Sequence, residues 1–303
     1  MLGRRQLLGA ALVSAGSLLL PVSLQARRRQ PKLRQWQLTA AGGRAVEISD
    51  WRPSGAPRGL ILFSHGAGSA PHFYEAVIGA WVARGWRVLA PLHVDSVEHP
   101  DTARFPGLAS WKARLEDMRA LSAHVGQRPW VAAGHSYGGL VALTLGGAAA
   151  IPPQGLAGRL DDPNVRAVVA LSPPAPTPVL ITAERYGALR VPALIQTGTL
   201  DVPQMPKGMA PLPADSWHGH LAPFEAAKPG NDRYALILDG VDHYFGGAIC
   251  RYDLPGPRQL ERLADACRIS GLFLDGLGAG DHRARRELDS ALSQAYPVQL
   301  LHK

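Results

Sequence analysis

Short apolar runs recur along this chain, each ending in a glycine or a turn: Leu60 to Ser64, Trp86 to Ala90, Trp130 to Ala133, Val165 to Leu171, Pro192 to Gln196 and Tyr234 to Leu238. Runs of that length, apolar on successive residues, suit strands covered on both faces. Between them the period lengthens. Phe73 to Arg84 reads as a helix stopped by Gly85. Leu108 to Val125 carries Trp111, Leu115, Met118, Leu121 and Val125 at helical spacing. Gly139 to Ala150, Gln259 to Phe273 and His282 to Ala295 read as further helices. Trp36 to Thr39 and Ala45 to Ser49 suit an antiparallel edge hairpin across Gly42-Gly43. Alternating strands and helices predict an α/β fold, a mostly parallel central sheet with helices on both faces.

Ile151 to Pro163 is a Pro/Gly-rich connection, and Ser172-Pro173-Pro174-Ala175-Pro176 is a rigid one. Val202 to Asn231 is the least regular stretch, with Met205, Met209, Trp217 and Phe224. It follows a candidate site loop, so it reads either as a substrate-lining flap or as a surface connection with one short helix. No internal repeat or linker divides the chain, and 303 residues suit one large domain over 36–303.

Residues 1–26 stand apart. Arg4-Arg5-Gln6-Leu7-Leu8 is a twin-arginine pattern, followed by an apolar run to Leu20, then Pro21 and a small-residue exit at Ala26. This is the form of a twin-arginine export signal. The run is short for a bilayer span, so no stable membrane insertion is expected after processing. The expected partner is the twin-arginine export machinery, and the expected destination is a bacterial periplasm or the exterior. Residues 27–35 read as a flexible basic lead containing Arg27, Arg28 and Arg29.

The formal net charge is +8, from 32 Lys and Arg against 24 Asp and Glu. No long basic helix or aromatic-interleaved basic stripe accompanies it, so nucleic-acid binding is not expected. The surplus suits solubility and mild attraction to anionic surfaces. The two cysteines, Cys250 and Cys267, could pair in an oxidising compartment, contributing about 3 kcal/mol. Spacing alone does not fix that geometry.

Chemistry concentrates at Val131-Ala132-Ala133-Gly134-His135-Ser136-Tyr137-Gly138-Gly139. An apolar strand runs into Gly-x-Ser-x-Gly and then a small-residue helix start. That is the form of a nucleophile elbow, with Ser136 exposed on a sharp turn. A serine hydroxyl needs a histidine to take its proton and a carboxylate to orient the histidine. On this architecture they follow in the order serine, acid, histidine, just after strands. Asp201 ends the turn after Pro192 to Gln196, and His243 follows Tyr234 to Leu238. Asp239 and Asp242 are rival acids. Asp242 adjoins His243 in sequence, and Asp239 lies in the turn that presents it. The oxyanion needs two backbone N–H donors. Tyr137, directly after the nucleophile, is one. Ala67, in the loop after Leu60 to Ser64, is the other, with Gly66 as its rival. His65 is expected to brace that loop. His65, His93 and Trp217 are the candidate pocket-lining residues.

With these residues placed, the chain resembles the α/β-hydrolase superfamily, and within it the dienelactone-hydrolase and platelet-activating-factor-acetylhydrolase-like serine esterases. The matching stretches are Phe63-Ser64-His65-Gly66-Ala67-Gly68, Tyr74, Ala83 to Pro91 with His93, Asp95 and Ser96, the elbow, Thr197 to Asp201, and Asp242-His243. The resemblance spans roughly residues 36 to 275. True dienelactone hydrolases carry a cysteine nucleophile. Ser136 stands at that position here, so the resemblance implies ester hydrolysis instead.

The expected activity is cleavage of a small-molecule or lipid-like carboxylic ester through an acyl-enzyme on Ser136, His243 and Asp201. Amide cleavage or acyl transfer would use the same triad, and a catalytically silent binding protein on this fold is the alternative from another class. No cofactor is expected. Neither His93 with Asp95 and His99 nor His218 with His220 falls on a metal-ligand framework, so no metal site is expected.

Overall fold

In the computed structural model the described residues are 32–202, 210 and 212–303. The twin-arginine segment and its expected cleavage site lie outside them, as do Met205 and Met209. Nine strands form in chain order: β1 (Lys32–Thr39), β2 (Ala45–Arg52), β3 (Gly59–Ser64), β4 (Trp86–Pro91), β5 (Trp130–His135), β6 (Val165–Leu171), β7 (Ala193–Gly198), β8 (Arg233–Leu238) and β9 (Val298–His302). They make one sheet ordered β1-β2-β4-β3-β5-β6-β7-β8-β9. From β4 through β8 every neighbouring pair is parallel. Antiparallel pairs at the two ends complete it.

The two faces of the sheet are read directly from the strands. In β3, Leu60 and Leu62 join one buried cluster and Ile61 and Phe63 the other. Successive side chains point to opposite faces, so a wholly apolar strand feeds two cores. The helices are α1 (Glu75–Ala83), α2 (Ser110–Val125), α3 (Tyr137–Leu145), α4 (Ala222–Glu225), α5 (Leu260–Phe273) and α6 (His282–Ser290). Trp111, Leu115 and Met118 of α2, Leu140 of α3 and Phe224 of α4 pack on the first face. Ile78 and Trp81 of α1, Ile269 of α5 and Leu288 of α6 pack on the second. Helix α1 ends where expected, with Gly85 at φ 98°. No described helix is long and apolar enough to cross a membrane.

Four expectations are corrected. Residues 32–35 are not part of a lead: β1 begins at Lys32 and pairs with β2 along its whole length. Strand β2 runs on to Arg52, because buried Asp50 is held by Arg52 and Arg87. The last helix stops at Ser290, and the chain then returns as β9 beside β8. Cys250 and Cys267 are both free, Cys250 buried near the loop after β3 and Cys267 on α5.

Candidate active site

The parallel strands aim their carboxyl ends at one edge, and three of the loops there carry the expected triad. At the end of β5, Ser136 has φ 54° and ψ −124°, a left-handed conformation rare outside glycine. The residues two before and two after it must be glycines. A Cβ on Gly134 would lie 2.2 Å from the Gly138 carbonyl oxygen, and one on Gly138 would lie 2.0 Å from that of Ser64. The turn is therefore pressed against the end of β3, and α3 begins at the next residue.

After β7, Gly198 lets the acid loop press on the base loop: a Cβ there would lie 2.2 Å from the Val241 carbonyl oxygen. Leu200 N–H donates to that same carbonyl at 3.0 Å. These contacts set Asp201 against His243, whose Nδ1–H donates to Asp201 Oδ1 at 2.7 Å. With Nδ1 carrying that proton, Nε2 is the nitrogen left to act as a base. Thr197 Oγ1 donates to Asp201 Oδ2 at 3.0 Å. Burial pushes the Asp201 carboxyl up, but His243 and His220 outweigh it and hold it well below the usual carboxylate range. The rival acids are occupied elsewhere. Asp239 accepts from Thr199 Oγ1, and Asp242 accepts from the N–H groups of Tyr244 and Gly246.

Ser136 Oγ makes no hydrogen bond to His243 among the described residues. A different chain of contacts joins the two loops. Gly66 N–H donates to Tyr74 Oη at 2.9 Å, Tyr74 O–H to His135 Nδ1 at 2.9 Å, and His135 Nε2–H to the His243 carbonyl at 2.9 Å. Burial, with the nearby His243, pushes the His135 pKa down to about 3, so this relay runs through a neutral ring. It also commits the Gly66 amide. Ala67 N–H has no hydrogen-bond partner among the described residues, and Ala67 is exposed. Tyr137 N–H lies in the first turn of α3, where amides have no intrahelical acceptor.

Under this loop lies a network that the sequence reading missed. Arg114 of α2 is fully buried. Its guanidinium pairs side-on with Asp95, donates to the His65 carbonyl at 2.6 Å and to the Gly66 carbonyl at 3.1 Å, and lies 4.8 Å from the Tyr137 ring centroid. The Gly66 carbonyl belongs to the same peptide unit as Ala67 N–H. Holding one end fixes the direction of the other. His65 Nδ1–H donates to that carbonyl too, at 2.7 Å, in line with a bracing role.

A second Ser-His-Asp series sits in the same network. Ser64 Oγ lies 2.8 Å from His93 Nε2, and His93 Nδ1 lies 2.8 Å from Asp117 Oδ2. All three residues are buried, and Arg114 donates to the Ser64 hydroxyl. Burial holds His93 well below its ordinary range and raises Asp117 to about 7 despite Arg44. A nucleophile sealed from solvent and capped by a guanidinium serves as scaffold.

The three candidate pocket-lining residues are all buried. His65 and His93 are fully buried in this network, and Trp217 packs into the core while stacking on His218. Two cavities flank the site. One of about 550 Å³ is lined by Ala67, Phe73, Val97, Cys250 and Tyr252, among others. One of about 440 Å³ is lined by Leu200, Val202, His243, Tyr244 and Leu254. Arg251 borders both.

Asp201, His220 and His243 bring three potential ligand atoms within 4.8 Å of one another, the one grouping among the described residues that could hold a metal ion. Both histidines are already paired with Asp201 Oδ1, His243 at 2.7 Å and His220 at 3.2 Å.

A family model described as the alpha/beta hydrolase family matches residues 61–295. No curated relative matches in sequence. Among solved structures, the chain is similar to an esterase domain from Rhodothermus marinus (TM-score 0.54, 16% identity, covering 80% of this chain and 98% of that one). It is also similar to dienelactone hydrolase from Anabaena variabilis (TM-score 0.55, 16% identity, covering 82% and 99%). An esterase from Pyrobaculum calidifontis aligns too (TM-score 0.52, 16% identity, covering 82% and 86%).

Proposed function

Because the chain belongs to the alpha/beta hydrolase family, we propose that it is a serine hydrolase cleaving carboxylic esters through an acyl-enzyme. The observation that carries this reading is the pairing of His243 Nδ1 with Asp201 at 2.7 Å across two loops, beside a serine held at φ 54°. Ser136 Oγ attacks the acyl carbon as His243 Nε2 takes its proton. The tetrahedral oxyanion receives the N–H groups of Ala67 and Tyr137. On collapse, the ester C–O bond breaks and His243 returns the proton to the leaving alcohol. Water, deprotonated by His243, then attacks the acyl-serine, and Ser136 leaves with the proton.

The walls of the cavity beside Ala67 suit an apolar group. Phe73, Val97 and Tyr252 face it, and Val97 is 68% exposed. A small-molecule or lipid-like ester with an apolar acyl group fits that chemistry. The twin-arginine pattern supports export to the periplasm or exterior. Replacing Arg4 and Arg5 together by lysine is expected to leave the protein in the cytoplasm of its host. Unchanged fractionation would overturn that reading.

The activity is tested by intact-mass spectrometry with an organophosphonate probe. One adduct is expected on the wild type and none on Ser136→Ala. Ester turnover should fall at least about a thousandfold in that variant. Wild-type turnover by folded Ser136→Ala would sink the assignment.

A further inference from the structure

His220 lies just before α4 and is 1% exposed. Its Nδ1 lies 2.5 Å from the Pro173 carbonyl oxygen. Its Nε2 lies 2.8 Å from the Asp201 carbonyl oxygen and 3.2 Å from Asp201 Oδ1. All three partners are oxygens that only accept. A neutral imidazole has one donor nitrogen and one acceptor nitrogen, so it would set a lone pair against an oxygen on one side. Only the imidazolium satisfies both contacts. His135 shows the contrast nearby, because one of its nitrogens faces a hydroxyl that can donate.

We propose that His220 is a positioning residue, held as an imidazolium, that pins the loop after β6 to the acid loop after β7 and sets the pH range in which His243 works as base. The proposal rests on the reading of Asp201 and His243 as triad acid and base. Asp201 Oδ1 is shared: His243 approaches it at 2.7 Å and His220 at 3.2 Å. The two rings lie 6.0 Å apart. A fixed positive charge at that distance opposes protonation of His243 and offsets part of the carboxylate's attraction. The base therefore stays free to accept a proton at lower pH than a lone Ser-His-Asp series would allow.

The surrounding groups leave this balance to His220. Asp201 faces it from the acid loop and His243 from the base loop. His135, at the end of β5, is neutral. On the base loop, Asp242 is turned onto its own backbone, and Tyr244 lies edge-on to His243. Arg251 borders the same cavity but pairs with Asp253 at 2.7 Å. On its own segment, His218 is exposed and bonded to the Asp215 carbonyl. Burial opposes the charge on His220, yet the Asp201 carboxylate and the two carbonyls outweigh it and hold the ring above its ordinary pKa.

Two measurements test the proposal. The first is the pH profile of kcat/KM on an activated ester for wild type and His220→Gln. The acid limb is expected to move up by about one pH unit in the variant. Superposed acid limbs would overturn the proposal. The second needs neither turnover nor a variant that folds. In the wild type labelled with ¹⁵N-histidine at pH 7.5, one ring with two slowly exchanging N–H groups and cationic ¹⁵N shifts is expected. A spectrum holding only neutral rings would overturn the proposal as well. Absent ester turnover with that cation present would instead count against the esterase reading.

Discussion

At the scale of the residue, the site depends on atoms that leave no room. Gly138→Ala would drive a methyl into the Ser64 carbonyl. Backbone cannot give way as a flexible side chain can, so a loss of about 2 kcal/mol or more is expected in urea unfolding. A urea midpoint like the wild type's would show that the elbow can accommodate the methyl. Arg114→Lys keeps the charge but loses the fork that spans the His65 and Gly66 carbonyls. A fall in kcat of roughly tenfold or more at nearly unchanged KM is expected, since that fork fixes the peptide of the proposed oxyanion donor, Ala67. A change confined to KM would deny Arg114 that role. His220 carries a stability signature too. Its folded pKa is raised, so its contribution is fully present below the ordinary value of 6.5 and is lost as pH rises through the folded value. The melting-temperature gap between wild type and His220→Gln should therefore be widest in mild acid and narrow toward alkaline pH. A gap independent of pH would contradict this linkage.

Elements explain what could be read in advance. Ser136, Asp201 and His243 follow apolar strands, and a strand end is visible in one dimension. Helix α2 was legible as a stripe from Trp111 to Val125. Yet Arg114 and Asp117 sit within that stripe, three residues after Trp111 and one before Met118, and both are fully buried. A charge on the apolar face of a helix was the available signal for the hidden network. His220 offered none, because its meaning depends on Pro173 and Asp201 arriving from other loops. Strand β9 was missed for a related reason. Five residues whose apolar positions, Val298, Leu300 and Leu301, do not strictly alternate take their pattern from the edge of β8, which only the fold supplies. Helix α6 is set by a local device. Asp281 accepts from the N–H groups of Arg283 and Ala284. Asp281→Ala is expected to lower the midpoint of chemical unfolding while leaving phosphonate labelling of Ser136 intact. Loss of labelling would mean that this helix reaches the site.

The molecule as a whole sets two cores against one sheet and gathers its chemistry at a single edge. Its central parallel strands and the loops that carry the proposed triad follow from strand-helix alternation. The way those loops are tied together does not. Gly66, Tyr74, His135 and His243 form a hydrogen-bonded bridge from the loop after β3 to the loop after β8. Coupling of this sort is reciprocal. A transition-state mimic seated against Ala67 should slow amide hydrogen exchange around His243. Fixing the base loop should, to the same degree, favour the mimic. Tyr74→Phe removes the central hydroxyl and leaves two buried polar groups without their partner. Folded Tyr74→Phe is expected to bind the mimic without protecting the base loop. The enzyme's two working loops would then respond to a ligand as separate parts, where the intact protein answers as one.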